Sequence, residues 1–325
     1  MIRTPQNLLV TGGAGFIGAH FIHYWQTHYP DALIVNLDLL SYAGSLKNLE
    51  HLPHPTQHHF VQGNIADQAL IEKLLKQYAI DTIVHFAAES HVDNSIKDPG
   101  IFVKTNVLGT QSLLEAARKT TACHFHHIST DEVYGTLSPT DAPFTEKTPY
   151  APNSPYSASK AGSDHLVRAY HHTYGLSVTT SNCSNNFGPF QHAEKFIPTV
   201  IRSCLEWKNI PVYGNGSNIR DWLYVDDHCA AIDLILHKGK VAEVYNVGGM
   251  NEWTNLDIVK LICSILDELR PQAKSYNSLI SFVKDRPGHD WRYAINPDKI
   301  VSELGWKPTL QFESHLRNLI AGKLS

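Results

Sequence analysis

The sequence has little of the features that mark several other classes of protein. Charged residues make up 18% of its 325 residues, and 27 Lys and Arg against 31 Asp and Glu leave a formal net charge of −4. A slightly acidic chain is poorly suited to neutralising nucleic-acid phosphates, so we expect no nucleic-acid partner. No stretch approaches the ~18 consecutive apolar residues of a membrane helix, and we expect no membrane partner. The first residues lack the apolar segment and cleavage site of a secretory signal, which favours a cytoplasmic location.

Cysteine is also scarce, with five residues, an odd number, and no two of them have C-x-x-C spacing. This pattern indicates reduced thiols rather than a disulfide framework or a zinc site. Histidine is frequent, with 20 residues, but the histidines do not form a pattern that we interpret as a metal site. We therefore expect no metal.

The first half of the chain alternates short apolar runs with amphipathic helical stretches. The predicted strands are Leu8–Val10, Leu33–Leu37, Phe60–Gln62, Thr82–Phe86, Phe125–Ile128 and Val178–Ser181. The predicted helices between them end near His28 or span Asp67–Gln77, Ile101–Arg118 and Tyr156–Tyr174. This alternation is typical of an α/β fold with a doubly wound parallel sheet of the Rossmann type.

After about Asn185 the pattern changes, and short elements are separated by turns rich in glycine and proline. We predict helices and strands at Phe196–Trp207, Asp226–His237, Val244–Val247, Leu256–Leu269 and Leu279–Val283. These elements indicate a smaller C-terminal α/β domain above the carboxyl ends of the sheet.

Three glycines, Gly12, Gly15 and Gly18, follow the first strand and open the first helix. Glycines there allow a tight turn and a close approach of the backbone to a pyrophosphate at the helix N-terminus. Asp38 ends the second strand twenty positions after Gly18, which is the spacing of the carboxylate that binds the adenosine ribose. Leu39, Leu40 and Ser41 follow Asp38. Because no arginine is there to hold a 2′-phosphate, the pattern favours NAD over NADP.

Tyr156 and Lys160 lie four residues apart at the start of a predicted helix and so share one face. An ammonium beside a phenol can stabilise the phenolate, which lowers the pKa of the phenol and makes it a usable base. Ser129 and Thr130 end the strand that precedes this helix. Because a dinucleotide-binding fingerprint is present in the same chain, we interpret Tyr156 and Lys160 as catalytic.

At these positions the chain resembles the extended short-chain dehydrogenase/reductase family, and within it the nucleotide-sugar 4,6-dehydratases. The resemblance covers nearly the whole chain. It is carried by TGGAGFIG (Thr11–Gly18), HFAAESHVD (His85–Asp93), FHHISTDEVYG (Phe125–Gly135), PYSASK (Pro155–Lys160), NCSNN (Asn182–Asn186), NIRDWLYVDDH (Asn218–His228), YNVGG (Tyr245–Gly249) and DRPGHD (Asp285–Asp290).

The resemblance implies a reaction in which bound NAD is reduced and regenerated. Tyr156, assisted by Lys160, takes the proton of the sugar C4 hydroxyl, and Thr130 hydrogen-bonds the same oxygen. Glu132 then removes the C5 proton while Asp131 protonates the departing C6 hydroxyl. The pair Asp131 and Glu132 separates this chemistry from that of the related epimerases, which usually carry small residues there. Both side chains can reach one substrate only if the backbone leaves the strand at this point.

The resemblance also implies the residues that bind each ligand. NAD is expected to contact the glycine loop and the strand ends at Gly12, Gly15, Phe16, Ile17, Gly18, Asp38, Asn64, Ile65, Ala87, Ala88, Thr105, Tyr156, Lys160 and Asn186. The nucleotide-diphosphate sugar is expected to contact Ser90, Thr130, Asn185, Lys195, Phe196, Pro211, Tyr213, Arg220, Asn255, Arg286 and His289. The chain departs from the family at Asn64, Asn94 and Leu39, where Asp, Arg and Lys are usual.

We therefore expect residues 1–185 to form the NAD-binding Rossmann domain, including the catalytic loop and the helix of Tyr156. Residues 186–325 are expected mainly to bind the sugar nucleotide, with some segments returning to the first domain. The expected substrate is dTDP-glucose. A UDP-glucose dehydratase, a related epimerase or decarboxylase, and an inactive NAD-binding regulator remain alternatives. Family members usually dimerise through two helices of each subunit, which here are Ile101–Arg118 and Tyr156–Tyr174, so we expect a homodimer.

Overall fold

The computed structural model describes residues 2–120, 123–285 and 287–324. Its strands, in chain order, are β1 (Asn7–Thr11), β2 (Leu33–Asp38), β3 (His58–Gln62), β4 (Thr82–His85), β5 (His124–Thr130), β6 (Ser177–Cys183), β7 (Asn185–Phe187), β8 (Ile210–Tyr213), β9 (Ile219–Tyr224), β10 (Val244–Val247), β11 (Glu252–Thr254) and β12 (Ile280–Val283).

The α-helices, in chain order, are α1 (Phe16–His28), α2 (Gln68–Gln77), α3 (Val92–Lys97), α4 (Pro99–Phe102), α5 (Thr110–Arg118), α6 (Pro155–Tyr174), α7 (Phe196–Leu205), α8 (Val225–Lys238), α9 (Asn255–Leu269), α10 (Asp298–Leu304) and α11 (Phe312–Leu324). A π-helical segment, Val103–Gly109, joins α4 to α5. The stretch expected to be one regular helix is therefore helical throughout but has a wider turn in its middle. Such segments occur often at functional sites. Among the helices of the described residues, none is long and apolar enough to cross a membrane.

Seven parallel strands form the central sheet in the order β10-β6-β5-β4-β1-β2-β3. The chain moves outward from β1 to β3 and then returns to place β4 on the other side of β1. This reversal creates a crevice at the carboxyl ends of β1 and β4, where ligands bind in open α/β sheets. The predicted doubly wound fold is confirmed. The predicted strand Val244–Val247 belongs to this sheet, where Tyr245 pairs with Ser181 of β6.

Both faces of the central sheet are covered, which explains why its strands are apolar along most of their length. Successive side chains of β1 point to opposite faces. Leu9 is buried with α2, α5 and α6 on one face. Leu8 and Val10 are buried on the other face with residues of α1 and α8. The two layers hold the strand ends, and therefore the crevice, in a fixed position.

A second, smaller core lies after the end of β6. It packs α7, α9 and α11 against a three-stranded sheet of order β11-β9-β7, and a parallel pair of β8 and β12 borders it. β7 begins at Asn185, directly after β6, so this unit starts at the carboxyl edge of the central sheet. β9 runs straight into α8, which packs against α1. The chain therefore returns to the first unit before it completes the second.

Candidate active site

A cavity of about 720 Å³ opens at the carboxyl edge of the central sheet. Its walls come from the glycine loop after β1, the ends of β2, β4, β5 and β6, the π-helical segment and the start of α6. Every residue expected to contact the cofactor lines this cavity: Gly12, Gly15, Phe16, Ile17, Gly18, Asp38, Asn64, Ile65, Ala87, Ala88, Thr105, Tyr156, Lys160 and Asn186. The other expected catalytic residues, Thr130, Asp131 and Glu132, line it as well.

The glycine loop has no room for side chains at its two ends. Gly12 has φ +72°, and a Cβ on it would lie 2.6 Å from the backbone nitrogen of Ala87. A Cβ on Gly18 would lie 2.4 Å from the carbonyl oxygen of Gly12. Gly15 caps α1 without a side-chain hydrogen bond. The helix N-terminus therefore presents backbone N–H groups and the positive end of its dipole, which suits the pyrophosphate of a dinucleotide.

Asp38 is fixed at the rim of the cavity by two backbone donors. The N–H of Ala14 donates to its Oδ2 at 2.9 Å, and the N–H of Leu40 donates to its Oδ1 at 2.8 Å. Each carboxylate oxygen keeps a further lone pair, which can accept from a ribose hydroxyl. The geometry fits the adenosine end of NAD.

Two of the three departures from the family pattern also border the cavity. Leu39 is 51% exposed there, beside Asp38. Asn64 also lines the cavity, and its Oδ1 accepts a hydrogen bond of 2.9 Å from the N–H of Ala66. The third, Asn94, lies in α3 outside the lining of the cavity.

The acidic pair lies where the chain leaves the central sheet. β5 ends at Thr130, and a 3₁₀ turn follows at Asp131–Tyr134. Thr130 caps this turn, because its Oγ1 accepts from the N–H of Glu132 at 3.3 Å. The turn removes the strand alternation that would send adjacent side chains to opposite faces. Asp131 and Glu132 consequently border the same cavity.

The carboxyl group of Asp131 lies in an environment that favours its protonated form. Only 1% of the residue is exposed. Burial raises its pKa well above the ordinary value, and the charges of Glu132 and Asp221 raise it further, while Arg220 and Thr130 act in the opposite direction. A buried carboxyl group that keeps its proton can act as a general acid.

Tyr156 and Lys160 lie one turn apart at the start of α6, which Ser154 and Ser157 begin with a capping box. The ammonium of Lys160 donates to the carbonyl oxygen of Ile128 at 2.7 Å, and burial lowers its pKa. Burial also raises the pKa of Tyr156 well above its ordinary value, and the charge of Glu132 adds to this shift. That Lys160 stabilises the phenolate of Tyr156 stays a prediction, because burial is the main influence on the pKa of Tyr156 in the protein alone.

The structure divides the expected substrate-binding residues into two groups. Ser90, Asn185 and Lys195 line the cavity with Thr130. The other expected substrate-binding residues that the structure describes do not line the cavity: Phe196, Pro211, Tyr213, Arg220, Asn255 and His289. Arg286 lies outside the residues that the structure describes.

The residues outside the cavity lie in the smaller unit. Arg220 is buried on β9, where its guanidinium group lies 4.2 Å above the ring of Tyr293 and donates to the carbonyl oxygen of Asp290 at 3.1 Å. The positive charge of Arg220 lowers the pKa of Asp131, so Arg220 lies close to the acidic pair. The ring of Tyr213 meets that of His289 at 6.2 Å.

Several cavity residues were not identified from the sequence: Ser41, Ala43, Gly44, Glu89, Lys104, Ser129, Gln191 and His192. Glu89 lies inside the matched motif His85–Asp93, so the motif itself could have indicated it. Its backbone N–H donates to the side chain of Asn106 in the π-helical segment at 2.9 Å. Lys104 carries no comparable signal, because its position depends on the wide turn of that segment.

Comparison with known proteins agrees with this geometry. The model of the GDP-mannose 4,6 dehydratase family matches residues 9–319. The dTDP-glucose 4,6-dehydratase of Xanthomonas campestris pv. campestris (strain B100) is 54% identical over 316 residues, which cover 94% of this chain and 89% of that protein. The enzyme of the same name from Salmonella typhimurium is 50% identical and covers 96% of this chain and 91% of its own length.

The structure is also similar to solved structures of nucleotide-sugar enzymes. A crystal structure of dTDP-glucose 4,6-dehydratase from Streptomyces venezuelae with NAD bound superposes with a TM-score of 0.91 at 44% identity, covering 97% of this chain and 96% of that one. A UDP-glucose 4-epimerase of Thermotoga maritima has a TM-score of 0.89 at 27% identity, with coverage of 98% and 100%.

The Rossmann sheet, the glycine loop and the pair Tyr156 and Lys160 are those of an extended short-chain dehydrogenase/reductase. Within that class, the chain belongs to the dTDP-glucose 4,6-dehydratase family.

Proposed function

We propose that this chain is an NAD-dependent hydro-lyase that converts dTDP-glucose to dTDP-4-keto-6-deoxyglucose, an activated deoxysugar. The observation that carries the proposal is the buried acid Asp131 beside Glu132, in the same cavity as Tyr156 and Lys160. An epimerase moves hydride at C4 only and needs no acid and base for an elimination. The identity of about half the residues with dTDP-glucose dehydratases favours this nucleotide over the alternatives.

The cofactor site accepts NAD for reasons that lie in the chain itself. The close packing at Gly12 and Gly18, the uncapped start of α1 and the fixed carboxylate of Asp38 suit its pyrophosphate and ribose. Bound NAD supplies the hydride acceptor at C4 and the hydride donor at C6, and its positively charged ring adds the charge that favours a phenolate at Tyr156. Because NAD is regenerated in each cycle, a buried cavity that retains it serves the reaction.

The protein groups then move protons. Tyr156 accepts the proton of the C4 hydroxyl, and Lys160 stabilises the phenolate on which this step depends. The ketone at C4 acidifies the C5 hydrogen, and Glu132 removes it as the general base. Asp131 delivers its proton to the C6 hydroxyl, which leaves as water. Glu132 finally returns a proton to C5.

The remaining parts of the proposal concern domains, substrate and location. Residues 1–185 hold the cofactor, and residues 186–325 mainly bind the nucleotide diphosphate, for which Lys195 and Arg220 provide positive charge. Ser90 and Asn185 extend this surface from the cavity, while Phe196, Pro211, Tyr213, Asn255, Arg286 and His289 extend it in the smaller unit. The enzyme works in the cytoplasm.

The proposal includes a homodimer built on α6 and the helical stretch that ends with α5. Val103 is 50% exposed and Tyr174 is 54% exposed, which leaves apolar surface on these helices for a second copy. Light scattering at micromolar concentration should give twice the 36.4 kDa mass of one chain. A single-chain mass at that concentration contradicts the dimer.

The activity is tested by incubating the purified protein with dTDP-glucose, UDP-glucose, CDP-glucose and GDP-mannose in separate reactions. We expect 4-keto-6-deoxy product, measured by its absorbance in alkali, to form fastest from dTDP-glucose without added NAD. Preference for another nucleotide would contradict the substrate assignment, and 4-epimer without 4-keto sugar would contradict the reaction.

A further inference from the structure

The proposed reaction leaves the enzyme with two groups in the wrong protonation state. This inference rests on the proposed function. In one cycle Tyr156 gains the proton of the C4 hydroxyl, and Asp131 gives a proton to the departing C6 hydroxyl. Glu132 takes the C5 proton and later returns a proton to C5, so Glu132 ends the cycle in the protonation state in which it began. Before the next cycle, one proton must therefore pass from Tyr156 to Asp131.

The hydroxyl group of Thr130 lies between these two groups. It donates to Oδ1 of Asp131 at 3.4 Å. It also lies beside the hydroxyl group of Tyr156, where it opposes the rise in the pKa of that phenol. The N–H of Glu132 donates to the same oxygen at 3.3 Å. One side chain thus contacts both the proton source and the proton acceptor.

The bonding capacity of a hydroxyl group gives this arrangement a direction. Threonine has one O–H donor and two acceptor lone pairs. The backbone of Glu132 takes one lone pair, and a protonated Tyr156 takes the other. The single hydrogen of Thr130 then points to Asp131, so the chain of donors runs from Tyr156 through Thr130 to Asp131. This is the direction that the proton balance requires.

Burial disfavours exchange of these protons with bulk water. Asp131 is 1% exposed, Thr130 is 8% exposed and Tyr156 is 9% exposed. The exposed parts face the cavity that the cofactor and the sugar fill. Within the described part of the chain, Oδ2 of Asp131 has no hydrogen-bond partner. Oδ1 is therefore the oxygen committed to Thr130, and Oδ2 has bonding capacity left for the substrate hydroxyl.

We propose that Thr130 resets the active site by relaying a proton from Tyr156 to Asp131 in every cycle. The Tyr156 O–H bond breaks as a bond forms to Thr130 Oγ1, and the original Thr130 O–H bond breaks as a bond forms to Asp131 Oδ1. Two O–H bonds break and two form, and no electron is transferred. Tyr156 becomes a phenolate and Asp131 a carboxylic acid, which are the states that the next cycle needs.

The test compares Thr130→Val, which removes the hydroxyl group at similar volume, with Thr130→Ser, which keeps it. Rapid-quench measurements with excess dTDP-glucose should show, for the valine variant, a burst of about one product per site and then a steady rate at least tenfold slower. A small buffer such as imidazole should accelerate only the slow phase, because the protons must then pass through solvent. The serine variant should show neither burst nor buffer effect.

If Thr130 only hydrogen-bonds the substrate and relays no proton, the kinetics of Thr130→Val should differ from those just described. It would slow the first and later turnovers of Thr130→Val equally, with no buffer effect, and that result would overturn the relay. A second measurement needs no variant. The steady rate of the wild-type enzyme should not change with buffer concentration at constant pH and ionic strength, and an increase would overturn an internal reset. Absence of any 4-keto product from the wild type would instead refute the proposed function.

Discussion

The ammonium of Lys195 donates a 2.7 Å hydrogen bond to the carbonyl oxygen of Ser90, and it thereby joins the segment before α7 to the loop after β4. Tyr42, in the loop after β2, contacts the same region. Its hydroxyl group lies near the side chains of Ser90 and Glu194, which act on its pKa in opposite directions, and its ring meets that of His192 at 5.5 Å. Three loops are therefore connected across the rim of the cofactor cavity.

This connection predicts that Tyr42→Phe loosens the retention of NAD. Loss of the polar interactions of this hydroxyl group costs about 1 kcal/mol, which corresponds to roughly fivefold faster release. The measurement is the dissociation rate of NAD from the holoenzyme, followed by the NAD that remains after timed desalting. Tyr78→Phe, at the end of α2 and outside the cavity lining, is the matched control. Equal release from both variants would contradict the role of Tyr42.

Substitution of Asp131 should separate oxidation from elimination. Asp131→Asn keeps the size of the side chain but removes the proton that the C6 hydroxyl needs. We expect overall dehydration to fall by about 100-fold or more, within the usual range for loss of a general acid. Oxidation at C4 remains possible, so the absorbance of NADH should rise and persist. Dehydration at the wild-type rate would show that Asp131 is not the acid.

Tyr156→Phe and Glu132→Gln should fail at different steps. The first variant lacks the base for the C4 hydroxyl, so neither NADH nor 4-keto product should accumulate. The second should still oxidise C4 but should no longer exchange the C5 hydrogen with solvent. Mass spectrometry of recovered sugar in D₂O measures this exchange. Deuterium uptake by Glu132→Gln at the wild-type rate would exclude Glu132 as the C5 base, and unchanged turnover would favour an epimerase.

Buried histidine should make the stability of the fold depend on pH. Burial lowers the pKa of His124 to about 3, whereas an unfolded histidine has a pKa of about 6.5. As the pH falls below 6.5, His124 becomes protonated in the unfolded chain but stays neutral in the folded state down to about pH 3. The folded state therefore loses stability across this window, by about 2 kcal/mol at pH 5 for this one residue.

The measurement is urea unfolding of the wild type and of His124→Gln at pH 7 and pH 5. The variant should lose about 2 kcal/mol less than the wild type between these values, whatever its stability at pH 7. His172→Gln, at an exposed position of α6, is the control and should follow the wild type. The same pH dependence in all three proteins would exclude His124 as a source.

The sequence by itself determined the features that follow from local chemistry and spacing. The glycines of residues 12–18, the carboxylate of Asp38 twenty positions later and the alternation of strands and helices each reflect a requirement that the local chain must satisfy. They were enough to predict the parallel sheet and, with the family motifs, residues that line the cavity. The pair Asp131 and Glu132 could also be singled out, because adjacent acids at a strand end are informative once the motif is present.

Only the tertiary structure decided relations between segments that are far apart in the chain. It brought β10 to the edge of the central sheet, although the local pattern of Val244–Val247 fits a strand in either unit. It placed Thr130 between Tyr156 and Asp131, and it buried all three. Burial also raised the pKa of Tyr156, because the cost of a buried phenolate depends on every neighbouring group and not only on Lys160 one turn away.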